Sequence, residues 1–294
     1  MDAAIVTRFE AWNPALAAMF RDLRNQEVWY MPNPGNGGDC LIAAGTYQLF
    51  DHYGIKLNLF DGNSIGTVTN KTVFLAGGGN LIPLYSGMAQ ALRRLNGRGN
   101  RITVLPHTIR GNEELLASLG PDVTLFCREM DTFQYLSSAS LTARIEQGHD
   151  LGLFVDIEQI RATPAVAEVA QPEFLERLLD KAKLTPADIE GRPMQCIRGG
   201  VESTFKPKGR NYDISIIFQA GVGPGRAEVG TWMMMEFTRL AAQITTNRLH
   251  IGIASILTGT PTRLYDNNYG KVSGIYHFSI KGNFPKVEML DDPD

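Results

Sequence analysis

Cysteine is scarce in this chain. Its 294 residues hold three, Cys40, Cys127 and Cys196, far apart and odd in number. Neither a disulfide framework nor a cysteine-type zinc site follows from them. No run of about 18 apolar residues exists, the length a helix needs to cross a bilayer. The first twenty residues lack a basic stretch followed by an apolar one. They read as an amphipathic helix interrupted at Pro14 rather than as a secretory signal. The cytoplasm is the expected compartment. Positive charge is not in excess either: 28 Lys and Arg stand against 31 Asp and Glu, a net charge of −3. That argues against nonspecific nucleic-acid binding driven by counterion release, but not against a local basic pocket for a small anion. Walker A, HExxH, GxSxG and EF-hand sequences are all missing. His52, His107, His149 and His277 show no metal-ligand spacing with one another.

What is present is ordinary globular composition, 44% hydrophobic and 20% charged residues, in a chain long enough for about two compact units. Short apolar runs alternate with helical stretches. Strands are expected at Val28–Met31, Ile55–Phe60, Thr72–Leu75, Arg101–Leu105, Val123–Cys127 and Leu151–Val155, with helices or loops between them. The alternation predicts an α/β fold with mostly parallel sheets. Residues 158–209 break the rhythm with a charged helix (Pro172–Lys183) and a Pro/Gly/Lys-rich stretch. Beyond it, strands are expected at Asp213–Phe218, Gln243–Thr246 and Thr262–Tyr265, and helices at Glu228–Ala242 and Arg248–Leu257. The expected organisation is a first domain over 1–157, a linker and entry segment over 158–209, and a second domain over 210–294.

Open α/β sheets bind ligands at the carboxyl ends of their strands, and four polar segments fall there. Pro34 to Cys40 joins a strand to a helix through Gly35, Asn36, Gly37, Gly38 and Asp39. Its spacing approaches a dinucleotide fingerprint, with Asp61 about 20 residues on. The third glycine is Cys40, however, and a carboxylate at Asp39 already occupies the positive end of the helix. Asp39 either caps that helix or contacts substrate. Gly77, Gly78, Gly79 and Asn80 form a second segment, expected to be a loop or a tight turn. Arg128 closes a strand, where an arginine suits carboxylate or phosphate; on its own it reads better as a surface pair with Glu129. Asp150 opens the next expected strand. The fourth segment is Asn247, Arg248, Leu249 and His250. Asn247 reads as a helix N-cap, which puts Arg248 and His250 in the first turn beside free backbone N–H groups. A lone histidine is usually structural. One beside an arginine at a helix N-terminus is a candidate general acid.

Together and in this order, these segments resemble the polysaccharide pyruvyl transferase family. The resemblance runs from Gly35–Asp39 through Gly77–Asn80, Leu105–Ile109, Arg128-Glu129 and Asp150. It resumes at Thr246–His250 and Pro261 and ends at Asn268–Lys271 and Gly274–Tyr276. His107 stands where the family usually has glutamine after Leu-Pro, and Asn247 where it usually has aspartate. Glu158–Lys208 matches poorly.

The resemblance implies two Rossmann-like domains in a GT-B-like architecture, with the active site in the cleft between them. It implies phosphoenolpyruvate as donor and co-substrate, a sugar diol or lipid-linked glycan as acceptor, and neither metal nor cofactor. Arg128, Arg248 and His250 match positions that hold the donor, with Leu249, Asn247 and Lys271 expected beside them. Asp39 and Asp150 match acidic positions expected to accept hydroxyl protons. The backbone of Asn36, Gly37, Gly38, Gly77, Gly78, Gly79 and Asn80 lines the site. Peripheral association with the inner face of the cytoplasmic membrane would suit a lipid-linked acceptor. The rival readings are a nucleotide-sugar glycosyltransferase of the same architecture and a noncatalytic glycan-binding protein. A binder of neutral sugars would not need converging cations.

Overall fold

The computed structural model describes residues 1–180 and 182–291. The chain divides into two compact units. One comprises Met1–Asn33 and Gly45–Phe154, the other Pro34–Ala44 and Val155–Asp294. The glycine-rich segment Pro34–Ala44 therefore packs with the carboxyl-terminal half of the chain.

The first unit opens with helices α1 (Ala3–Trp12) and α2 (Pro14–Asp22), separated at Asn13. Pro14 starts the second helix, where its missing N–H costs nothing. Strands β1 (Glu27–Met31), β2 (Lys56–Leu59), β3 (Thr72–Leu75), β4 (Gly78–Leu81), β5 (Arg101–Ile109), β6 (Val123–Cys127) and β7 (Arg144–Gln147) form one parallel sheet. The order is β2-β1-β3-β5-β6-β7, with β4 pairing β5 beyond the end of β3. Helices α3 (Gly37–His52), α4 (Gly87–Leu95), α5 (Glu113–Ala117) and α6 (Met130–Ser138) connect the strands.

Alternation along β3 shows how both faces are buried. Val73 and Leu75 join the aliphatic core with Leu92, Val104 and Leu125. Phe74 points the other way, against Phe20 and Phe50, at 5.9 and 5.3 Å between ring centroids.

Two expectations fail here for local reasons. Leu151–Phe154 is a 3-10 turn instead of a strand. The Asp150 carboxylate accepts the Gly152 N–H at 2.9 Å, and Phe154 turns its ring onto Phe9 and Trp12. The sheet ends instead at β7, which the sequence reading missed. The glycine segment is also no loop: Gly78–Leu81 is strand β4. The β5–β6 register shifts between Val104 and His107, a stretch containing Pro106, which has no N–H to give the ladder.

The second unit contains helices α7 (Ile157–Ala162), α8 (Pro164–Val169), α9 (Pro172–Asp180) and α10 (Pro186–Ile189), then α11 (Ile214–Ile217), α12 (Arg226–Leu240), α13 (Leu249–Thr258) and α14 (Lys271–Ile275). The helix expected over Pro172–Lys183 is seen as α9; Lys181 lies outside the described residues. Four short parallel strands, β8 (Pro193–Gln195), β9 (Gln243–Thr246), β10 (Thr262–Leu264) and β11 (Val287–Met289), form its sheet in the order β11-β10-β9-β8.

The strand expected over Asp213–Phe218 is instead the single turn α11, with Asp213 as its N-cap. The alternating β-branched pattern suggested a strand. One helical turn buries Ile214 and Phe218 on the same side, and Phe218 packs on Phe237 at 5.9 Å. Among the described residues no helix is long and apolar enough to cross a membrane.

Candidate active site

Each unit carries a polar cluster at the carboxyl end of its sheet. In the first unit the centre is Arg128, just past β6 and 1% exposed. Its Nη1 donates to Asp150 Oδ2 at 2.6 Å and its Nε to Thr108 Oγ1 at 3.0 Å. Arg128 is therefore not paired with Glu129 on the surface. Glu129 caps α6 by accepting the Thr132 N–H at 2.9 Å, and it pairs with Arg110 at 3.1 Å. A buried arginine next to a buried carboxylate forms a charge-compensated unit that neither partner could sustain alone.

His107, on β5, is fully buried beside that pair. Its Nε2 accepts the N–H groups of Asn80 and Leu81, both at 3.1 Å. Its Nδ1 lies 3.2 Å from the Ala76 carbonyl. Two donors facing Nε2 and an acceptor facing Nδ1 leave one consistent state, the neutral Nδ1–H tautomer. Burial, reinforced by the nearby Arg128 charge, pushes the His107 pKa down to about 3. Asn33 completes the cluster: its Nδ2 donates to the Gly77 carbonyl at 2.9 Å, and its Oδ1 accepts from Asn80 Nδ2 at 3.2 Å.

In the second unit the start of α3 lies against the start of α13. The Asn36 carbonyl accepts the Asp39 and Cys40 N–H groups, so Asn36 is the N-cap. Its side chain accepts the Gly38 N–H at 2.8 Å, and Asp39 Oδ2 reaches back to the Asn36 N–H at 2.9 Å. Asp39 thus closes a reciprocal cap. A Cβ on Gly38 would sit 2.7 Å from His250 Nδ1, so a glycine is needed for the backbone to pass this close to the imidazole.

The expected N-cap at Asn247 is corrected: α13 starts at Leu249, its N-cap is Arg248, and the Arg248 side chain makes no cap hydrogen bond. Asn247 does other work. Its Oδ1 accepts the Arg198 N–H at 2.7 Å and its Nδ2 donates to Ser203 at 3.1 Å. Arg248 is paired with Asp213. Among the described residues its buried Nε has no partner, nor has Asp213 Oδ1. Lys271 Nζ donates to Glu202 Oε2 at 3.1 Å; the same oxygen is held by Arg198 and by the Tyr269 hydroxyl at 3.0 Å.

Sequence reasoning missed Thr108, Arg198, Glu202 and Asp213. Thr108 adjoins a residue already singled out. Asp213 was hidden inside a strand-like pattern, and no local signal marks Glu202.

Burial disfavours the thiolate form of all three cysteines. Burial raises the pKa of Cys40 and of Cys196, and pushes that of Cys127 up to about 12. Among the described residues no three His, Cys, Asp or Glu side chains gather as a metal site requires.

The family described as polysaccharide pyruvyl transferase matches residues 36–269, which include both clusters except Asn33 and Lys271. The chain belongs to the polysaccharide pyruvyl transferase family. None of the curated proteins matches it. A crystal structure of a functionally uncharacterized protein from Klebsiella pneumoniae subsp. pneumoniae aligns over 99% of each chain, with a TM-score of 0.74 and 23% identity. That likeness supports the α/β fold. Within the pyruvyl transferase match fall Asp39, Arg128, Asp150, Arg248 and His250.

Proposed function

We propose that the protein transfers the pyruvyl group of phosphoenolpyruvate to two hydroxyls of one sugar, forming a cyclic ketal and releasing phosphate. The observation that carries this reading is the start of α13: an arginine whose buried Nε has no partner among the described residues, a helix N-terminus whose N-cap side chain makes no cap hydrogen bond, and an imidazole, all within three residues. A phosphate or carboxylate there would receive a charged donor and helix N–H groups together.

In the proposed reaction His250 protonates the methylene carbon of the enol ester, and C2 takes on oxocarbenium character. One sugar hydroxyl adds to C2 and gives up its proton. The C2–O bond to phosphate breaks, and the second hydroxyl closes the ketal, passing its proton to the phosphate that leaves as inorganic phosphate. Asp39 is assigned as the base, because it follows Gly38, whose backbone abuts His250. Asp150 is not, because Arg128 and the Gly152 N–H already occupy its two oxygens. It orients Arg128, which the proposal keeps as a cation for the donor. Leu249 contributes backbone; Lys271 and Asn247 hold the surroundings of Arg248 in place. The GT-B-like architecture, the metal-free chemistry and the cytoplasmic location belong to the same proposal.

The test is phosphate release from phosphoenolpyruvate against a panel of free and lipid-linked glycans, with the ketal identified by mass spectrometry. Phosphate release dependent on a glycan, lost in His250→Ala, is the expected result. Turnover of nucleotide-sugars alone would replace the reading with glycosyl transfer.

A further inference from the structure

We propose that His107 is a positioning residue which, fixed as the Nδ1–H tautomer, sets the Gly77–Asn80 edge of the first sheet and the strand end that carries Arg128. The geometry is specific. β3 ends at Leu75, paired with Val104 of β5. The chain then swings out and pairs with β5 again, Gly78 opposite His107. Between these points the backbone of Ala76–Leu81 has little side-chain mass to hold it, and Gly78 takes a φ of +142°, outside the range of ordinary residues.

The imidazole supplies what is missing. It donates to the Ala76 carbonyl at one end of the segment and accepts from the Asn80 and Leu81 N–H groups at the other. On its opposite side the His107 carbonyl accepts the Arg128 N–H at 3.2 Å, and its neighbour Thr108 takes the Arg128 Nε–H. One side chain and its own backbone thus tie the glycine segment to the arginine.

The ring must stay neutral to do this. A proton on Nε2 would face two N–H donors, with burial and the nearby Arg128 charge against it and the Asp150 carboxylate in its favour. A neutral imidazole with one donor and one acceptor offers the hydrogen-bonding capacity of a carboxamide. Glutamine is therefore the replacement that should preserve the arrangement, and leucine the one that should abolish it.

The activity arm of the test rests on the pyruvyl transfer reading; the spectroscopic arm does not. In the wild-type protein, ¹⁵N spectra of the histidine rings should show His107 with unprotonated Nε2 and protonated Nδ1, unchanged between about pH 8 and pH 5. In His107→Leu, the amide protons of Asn80 and Leu81 should exchange about tenfold faster or more. Phosphate release should lose about 100-fold in kcat, the scale of a misplaced catalytic geometry. His107→Gln should restore slow exchange and most of kcat.

A ring that titrates in that range, a proton on Nε2, or His107→Gln as damaged as His107→Leu would overturn the proposal. If His107→Leu does not fold, the wild-type spectra and the glutamine variant still decide it. If the wild-type protein releases no phosphate from phosphoenolpyruvate, the function reading fails while tautomer and exchange still judge His107.

Discussion

Arg128 and Asp150 meet at 2.6 Å with neither side chain more than 1% exposed. Their attraction compensates the loss of hydration only while both are present. Asp150→Ala strands a guanidinium among Thr108 and buried backbone. It should cost about 3–5 kcal/mol, the range for breaking a buried pair. Replacing both residues by apolar side chains of similar volume should recover most of that loss. Urea unfolding of the single and double variants measures both. A double variant as unstable as the single one would mean that Asp150 matters for something other than its charge.

Gly38→Ala tests the contact between the starts of α3 and α13. The new Cβ would lie 2.7 Å from His250 Nδ1, closer than Cβ atoms come to a neighbour, and a tight 3.0 Å from its Cβ and Cγ. Alanine is the better helix former by up to about 1 kcal/mol, so propensity alone predicts a gain in stability. The imidazole must move instead. Steady-state phosphate release should fall about 100-fold, with little gain in unfolding midpoint. Unchanged kinetics would separate His250 from the chemistry.

His107 and the partly buried His149 contribute to the acid limb of stability. Burial lowers His149 to about 4, and His107 to about 3, from an ordinary value of 6.5. Below pH 6.5 the unfolded chain binds protons that the folded chain refuses. Stability from these groups is therefore complete above that value and falls as the pH drops. Each contributes a slope of up to about 1.4 kcal/mol per pH unit. His149 stops contributing below about 4 and His107 below about 3. Urea midpoints between pH 7.5 and 4.5 should decline, more shallowly in His107→Gln; parallel curves would show that His107 titrates alike folded and unfolded.

Asp39 carries two readings that one substitution separates. As a cap, its Oδ2 accepts the Asn36 N–H, which the carbonyl oxygen of asparagine can also do. As a base it needs a negative charge. Asp39→Asn should leave the unfolding midpoint near that of the wild type and lower kcat by about 10²–10⁴-fold, the usual contribution of a general base. Retained kcat would leave Asp39 a cap and nothing more.

The parallel α/β layout was legible because alternating apolar and helical runs are local. So was the placement of Arg128, Arg248 and His250 just past strands. Partners were not legible, because ion pairs close across long stretches of chain: Asp150 lies 22 residues from Arg128, and Glu202 lies 69 from Lys271. Asp213 was misread for another reason. Its Ile-Ser-Ile-Ile tail has strand propensity, and only the burial of Ile214 and Phe218 together makes it a helical turn. Asn247 looked like a cap because its type and position suit one, yet the Arg198 N–H and Ser203 claim both ends of its carboxamide.

Arg248 gives the most direct test of the donor site. Asp213 holds one end of its guanidinium, while Nε is a buried donor with no partner among the described residues. Arg248→Lys keeps the charge near Asp213 but removes Nε and the planar fork. A lost charged hydrogen bond is worth about 1.5–3 kcal/mol, so the KM for phosphoenolpyruvate should rise about tenfold to a hundredfold. Because the lysine can still answer the Asp213 carboxylate, thermal stability should stay close to that of the wild type. Arg248→Ala should raise KM at least as much and also lower stability, since it leaves that carboxylate unpaired. A lysine variant with unchanged KM would move the donor away from the start of α13 and remove the observation on which pyruvyl transfer by this chain is argued.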